Sequence, residues 1–145
     1  MEILLVEDSL TSATITIGGL KKGNIAHRLT WLPDGEEALE FLFQRGKFAR
    51  VPRPDVVLLD LGLPKCDGRE VLARMRAEPK TREIPVVIMT GSNSEEDQSE
   101  VEHLQVEGYL VKPVDLPKFL SLIEKLRMYW HADMILPAVS MAGTQ

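Results

Sequence analysis

The chain has 145 residues, 44% apolar and 27% charged, the balance of one soluble globular domain with room for a real core. A formal charge of −5 without a basic block offers nucleic acid nothing by charge, and the longest apolar runs are far too short to span a bilayer. Cys66 is the single cysteine, which excludes an internal disulfide and fits a reducing compartment; Met1-Glu2-Ile3 lacks the positive start of a secretory signal, so a cytoplasmic protein is expected.

Ile3-Leu4-Leu5-Val6 is a short apolar strand that ends in Glu7-Asp8. Leu10, Ala13, Ile17 and Leu20 then recur at helical spacing, against the β-branched run Thr14-Ile15-Thr16-Ile17 and the pair Gly18-Gly19. Its place between strands makes this segment a helix. His27 to Leu32 reads as a second strand, with Leu29 and Trp31 on one face. Pro33-Asp34-Gly35 is a turn whose Asp34 caps a helix over Glu36 to Lys47, with Ala38, Leu39, Leu42 and Phe43 as the buried stripe.

Val51-Pro52-Arg53-Pro54 is an extended connector into a third strand, Asp55 to Asp60. Its run Val56-Val57-Leu58-Leu59 is apolar on both faces, as in a central parallel strand covered by helices. A loop over Leu63-Pro64-Lys65-Cys66-Asp67-Gly68 leads to a helix that ends near Ala77, with Val71, Leu72 and Met75 inward. Ile84 to Thr90 is a fourth buried strand, and Gly91-Ser92-Asn93 is a loop. A helix starts at Ser94, with Ser94 as cap and Asp97 answering it. Only Val101 and Leu104 anchor that helix, so it is expected to be loosely held. Gly108-Tyr109-Leu110-Val111 is a fifth strand, followed by Lys112-Pro113, a helix over Leu116 to Tyr129 with Phe119, Leu122, Ile123 and Leu126 buried, and a tail. Five βα units in succession argue for a parallel sheet with helices on both faces.

In such a sheet the carboxyl ends of the strands lie along one edge, where ligands bind. The residues brought there are Glu7 and Asp8, Asp60, Thr90 and Lys112. Each alone has a plainer reading: Asp60 as a turn residue, Asp8 as a helix cap, Thr90 as a strand end, Lys112 as a surface charge. Together they make a chemical set. Three carboxylates repel one another unless a cation intervenes, and carboxylates with a carbonyl and waters suit Mg²⁺. A lysine and a hydroxyl beside them complete a site for a dianionic phosphoryl group, and a carboxylate is a competent nucleophile for it.

At these motifs the chain resembles the receiver domain of two-component response regulators. The matching stretches are Leu4-Leu5-Val6-Glu7-Asp8, Leu58 to Pro64 with Asp67-Gly68, Val87-Ile88-Met89-Thr90-Gly91 and Tyr109-Leu110-Val111-Lys112-Pro113, within about residues 2–127. The resemblance implies a flavodoxin-like (βα)5 sandwich with sheet order 2-1-3-4-5. It makes Asp60 the phospho-acceptor. Glu7, Asp8 and Asp60, with the Gly62 carbonyl, would hold Mg²⁺. Thr90 and Lys112 would contact the phosphoryl oxygens, and Thr90 and Tyr109 would form the switch. It also implies a Lys112–Pro113 peptide that is often cis, and a histidine kinase as phosphodonor. Gly62 departs from the family, which often carries a side chain there, and this implies greater solvent access to a phosphate on Asp60.

No second globular region is visible, so the expected protein is a single-domain regulator (receiver 1–127, extension 128–145) without DNA-binding output, acting through a protein contact. The acids Glu95, Glu96, Asp97, Glu100 and Glu102 read as a solvated face. Leu126, Tyr129, Trp130, Met134, Ile135 and Leu136 are more apolar than a free end should be; they either build a homodimer interface or fold back on their own domain. That ending, with Pro52-Arg53-Pro54-Asp55 and Asp67 to Leu72, is similar to regulators paired with bacterial phytochrome kinases, which implies a dimer built by the extension. A phosphorelay intermediate that passes the group on to a histidine protein fits the same residues. A stand-alone aspartyl phosphatase does not, since the acid it needs two residues after the nucleophile is Gly62 here. His27, His103 and His131 lack ligand spacing, and Cys66 needs no function.

Overall fold

Side-chain alternation along the strands decides what each face of the sheet packs against. The strands are β1 (Glu2–Val6), β2 (Arg28–Leu32), β3 (Val56–Asp60), β4 (Val86–Thr90) and β5 (Gly108–Val111), all parallel, in the order β2-β1-β3-β4-β5. They alternate with α1 (Leu10–Lys22), α2 (Gly35–Leu42), α3 (Gly68–Ala77), α4 (Ser94–Val101) and α5 (Leu116–Leu126). The computed structural model describes residues 1–22, 27–63, 65–91, 94–112 and 116–126. The expectations for Pro64, the Ser94 cap, the Lys112–Pro113 peptide, the inward face at Ile123 and Leu126, and all of 127–145 lie outside the described residues or side chains.

Leu4, Val6, Val57, Leu59, Val86 and Ile88 point to one face and meet Leu39 and Leu42 of α2, Val71, Leu72 and Met75 of α3, and Val101 of α4. Ile3, Leu5, Val56, Leu58, Val87 and Met89 point the other way and meet Ala13 and Leu20 of α1 and Phe119 of α5. The three-layer flavodoxin-like sandwich is thus present, and every residue of β3 is buried.

Register places the chemistry. Val6 pairs with Leu59, so Glu7 and Asp60 fall side by side just past it. Asp60 pairs with Met89, and Thr90 with Val111, so Thr90 and Lys112 come next at the same edge. The Lys112 amide donates to the Thr90 carbonyl at 2.8 Å and fixes that step.

α1 forms despite its sequence because Ala13, Thr16 and Leu20 are buried, and its hydroxyls are satisfied within the helix. Thr14 Oγ1 donates to the Leu10 carbonyl at 2.8 Å and Thr16 Oγ1 to that of Ser12 at 3.0 Å. Thr16 is thereby buried, while Leu10, expected on the apolar stripe, is 66% exposed. α2 is capped as expected, Asp34 Oδ1 accepting from Glu37 N at 2.8 Å. It ends at Leu42 and not at Lys47. Gln44 turns into the left-handed region at φ 54 and its side chain donates to the Val51 carbonyl, so a short 3-10 turn (Gly46–Phe48) replaces the last helical turn.

Arg76 ties α3 to two connections. Its guanidinium donates to the carbonyls of Leu104, Arg82, Ile84 and Gln105 at 2.8–3.0 Å, with its side chain only 11% exposed. Arg76→Ala is expected to lower stability by about 2–4 kcal/mol by stranding those acceptors, read as a lower urea midpoint at unchanged slope.

Candidate functional site

Each side chain of the site arrives on a strand end, so its backbone is fixed by the sheet. Glu7 is fully buried, and its Oε2 accepts from Ser9 N at 3.1 Å. The Glu7 carbonyl accepts from the Trp31 indole at 2.7 Å, which ties the end of β2 to the same edge. Asp60 is 7% exposed, and its Oδ1 accepts from Gly62 N at 3.0 Å, which sets the carboxylate plane. Asp8 is exposed and opens the group to solvent. Among the described residues, Glu7, Asp8 and Asp60 are the one group able to hold a metal, with one oxygen of each within 4.8 Å of the others. His27 and His103 are not part of it.

Lys112 bridges two of these acids. Its Nζ lies 2.7 Å from Asp60 Oδ2, 3.0 Å from Glu7 Oε2 and 2.8 Å from Glu7 Oε1. Burial alone would lower the lysine, but the bonds to Asp60 and Glu7 outweigh it and hold the ammonium above its usual value. One ammonium against three carboxylates leaves the group electron-rich. Two buried atoms lack a hydrogen bond among the described residues: Glu7 Oε1, which has the lysine contact only, and Thr90 Oγ1. A buried hydroxyl without a partner is costly, so Thr90 Oγ1 is the one of the two left to gain from a ligand, Glu7 Oε1 being ion-paired to Lys112. Three carboxylates with an open side fit a hard divalent cation.

A cavity of about 290 Å³ opens beside Asp60, lined by Asp60, Leu61, Gly62, Arg69, Gly91, Asp97 and Lys112. A Cβ on Gly62 would touch only Asp60 Oδ1 at 3.9 Å, so glycine leaves this wall open where a larger residue would screen the carboxylate. Gly68 is different: a Cβ there would press into the Asp60 carbonyl and lie 2.7 Å from Leu61 Cα. The first turn of α3 therefore rests directly on the end of β3. Tyr109 is half-buried against the core cluster that holds Ile88 and Val101, and burial raises its phenol.

Glu7, Asp8, Asp60, Thr90 and Lys112 all stand where their sequence places them, at one edge of the sheet. Arg69, which lines the cavity from the start of α3, was missed. A basic residue just after the cap Asp67, opposite the acidic run of residues 95–100, was the available signal.

The buried Glu7 carboxyl is pushed up, first by desolvation and then by Asp60, with Lys112 and the Ser9 amide opposing. A raised carboxyl favours the fold below its unfolded value, and that contribution is lost as pH rises through the folded one. Metal binding must displace this proton, so metal affinity is expected to fall on acidification from a pH above the usual carboxylate range. Titration of Mg²⁺ by Trp31 fluorescence at a series of pH values checks this; a flat profile would exclude Glu7 as a ligand.

The sequence model of the response regulator receiver domain matches residues 3–124. The chain belongs to this family. The receiver is 41% identical over 136 residues to the response regulator Rcp1 of Synechocystis sp. (strain PCC 6803), covering 94% of this chain and 92% of Rcp1. Among solved structures it is similar to the bacteriophytochrome response regulator RtBRR, with TM-score 0.81, 36% identity and coverage of 94% and 84%. It is also similar to the Mn²⁺-bound form of Rcp1, with TM-score 0.75, 41% identity and coverage of 94% and 99%. The phosphorylated cyanobacterial phytochrome response regulator RcpA gives TM-score 0.76 at 35% identity, with coverage of 94% and 97%. Receiver domains bind a divalent metal, and among the described residues Glu7, Asp8 and Asp60 form an acidic cluster that could hold one. Among the described residues no helix is long and apolar enough to cross a membrane.

Proposed function

We propose that Asp60 accepts a phosphoryl group from a histidine kinase and that the acyl phosphate switches the receiver's protein contacts. The observation that carries this is Lys112 Nζ bridging Glu7 and Asp60 beside the unbonded hydroxyl of Thr90. The Asp60 carboxylate attacks phosphorus of a phosphohistidine. A P–O bond forms as the P–N bond breaks, and the imidazole leaves with the electron pair and takes a proton from water. Gly62 N–H orients the nucleophile; Lys112 follows the charge from carboxylate to phosphoryl oxygen, and Thr90 donates its free hydroxyl to another. Mg²⁺ would be held by Glu7, Asp8, Asp60 and the Gly62 carbonyl and would supply the remaining charge neutralisation. Thr90 then couples the site to Tyr109, which rests half-buried near α4, so phosphorylation favours one of two packings.

The likeness to Rcp1, RtBRR and RcpA supports a phytochrome-type kinase as donor. The apolar ending of residues 128–145 supports a homodimer arm beyond the receiver at 1–127. Incubation with Mg²⁺ and a small phosphodonor should add the mass of one phosphoryl group, and chelation of Mg²⁺ should prevent it. Equal labelling with and without chelator would overturn the metal-assisted reading.

A further inference from the structure

The cation at the mouth of the Asp60 cavity, apart from Lys112, is Arg69, and it is already engaged. Arg69 Nε donates to Glu100 Oε1 at 2.6 Å and Nη2 to Asp97 Oδ1 at 2.7 Å, both on α4. Nη1 donates to Asp67 Oδ1 at 3.1 Å, while Asp67 also caps α3 by accepting from Arg69 N at 2.7 Å. The base of the arm is therefore pinned to α3 and its fork is spread over three carboxylates. Asp97 and Arg69 line the same cavity as Asp60. α4 has little else to hold it: among its described side chains only Val101 is buried.

We propose that Arg69 is a latch that fastens α4 to α3 in the unphosphorylated receiver, and that a phosphoryl group on Asp60 competes with Asp97 and Glu100 for it. This rests on Asp60 being the acceptor. Lys112 is shared between Glu7 and Asp60, so a dianion arriving in the cavity draws on the remaining guanidinium, whose planar fork suits phosphoryl oxygens. Giving up Asp97 loosens the amino-terminal half of α4, the half without an apolar anchor, and giving up Glu100 leaves Val101 to hold the other end alone. The solvated acidic face expected of α4 is thus in part a set of ligands for Arg69. By linkage, whatever frees Arg69 from α4 favours the phosphoryl group, and the phosphoryl group frees α4 by the same factor.

Beryllofluoride with Mg²⁺ on the full chain, read together by fluorine NMR for occupancy and by hydrogen exchange of residues 94–101, tests this. In the wild type, exchange of α4 should be slow without beryllofluoride and faster with it. Arg69→Ala should exchange fast in both states and bind beryllofluoride more weakly, by about three- to tenfold, as for two partly exposed charge pairs. The double variant Asp97→Asn with Glu100→Gln should also exchange fast, yet bind it more tightly, an opposite shift that a merely structural role would not give. A bound fluorine signal with unchanged α4 exchange, or equal affinity in both variants, overturns the latch and leaves Asp60 as acceptor. Absence of any bound signal in the wild type overturns both.

Discussion

Asp60→Asn is expected to take up no phosphoryl group from a small donor, while its metal-free fold gains about 1 kcal/mol over the wild type. Both results come from the same geometry. Asparagine keeps an oxygen for the Gly62 amide, so the end of β3 and the loop after it are undisturbed. It cannot form the acyl phosphate, because an amide oxygen is a poor nucleophile and leaves no carboxylate. It also removes one negative charge from three carboxylates that share one ammonium, and Lys112 keeps its bonds to Glu7. Functional sites that crowd like charges commonly cost the fold stability, which a neutral substitution returns. Mass spectrometry of the intact chain reads the first effect and denaturant titration in chelator reads the second. Labelling of the variant, or a loss of stability comparable to a core deletion, would show that Asp60 is an ordinary structural aspartate.

Lys112→Ala is expected to slow phosphoryl uptake by about 10²–10³-fold and to lower metal-free stability by about 3 kcal/mol. The lysine sits 2.7–3.0 Å from two buried acids, so its loss leaves Glu7 and Asp60 facing each other without a counter-charge. The stability loss should shrink in saturating Mg²⁺, since a bound cation takes over part of that role. An exposed lysine without these bonds would cost no more than about 1 kcal/mol and would leave the rate alone. Melting temperatures with and without Mg²⁺, set beside the labelling rate, separate the two cases.

Most of the candidate site was legible in sequence because it is built from strand ends. Apolar runs as short as Ile3–Val6 and Val56–Leu59 define their own exits, and Glu7, Asp8, Asp60, Thr90 and Lys112 simply stand at such exits. Parallel register does the rest, since Val6 beside Leu59 necessarily sets Glu7 beside Asp60. What sequence did not carry is whatever depends on where long side chains end. Nothing in the spacing says that Arg76 would gather four carbonyls, or that Arg69 would reach across to α4. In α1 local propensity points away from the helix that position assigns and that forms, and in α2 periodicity points past the helix's end. In α1 the Thr hydroxyls bond back along the helix and the burial of Ala13, Thr16 and Leu20 overrides the β-branched run. In α2 the apolar stripe runs on to Phe43, but Gln44 takes a left-handed turn that no periodicity forecasts.

One carboxylate, at the end of β3, is expected to carry the phosphoryl group. The direct measurement is peptide mapping after incubation with Mg²⁺ and a small phosphodonor, with the acyl phosphate trapped by borohydride reduction before digestion. The modified residue should be Asp60, with Glu7, Asp8 and Asp97 untouched. Modification at any other carboxylate, or none in a folded protein with Mg²⁺ bound, would contradict it.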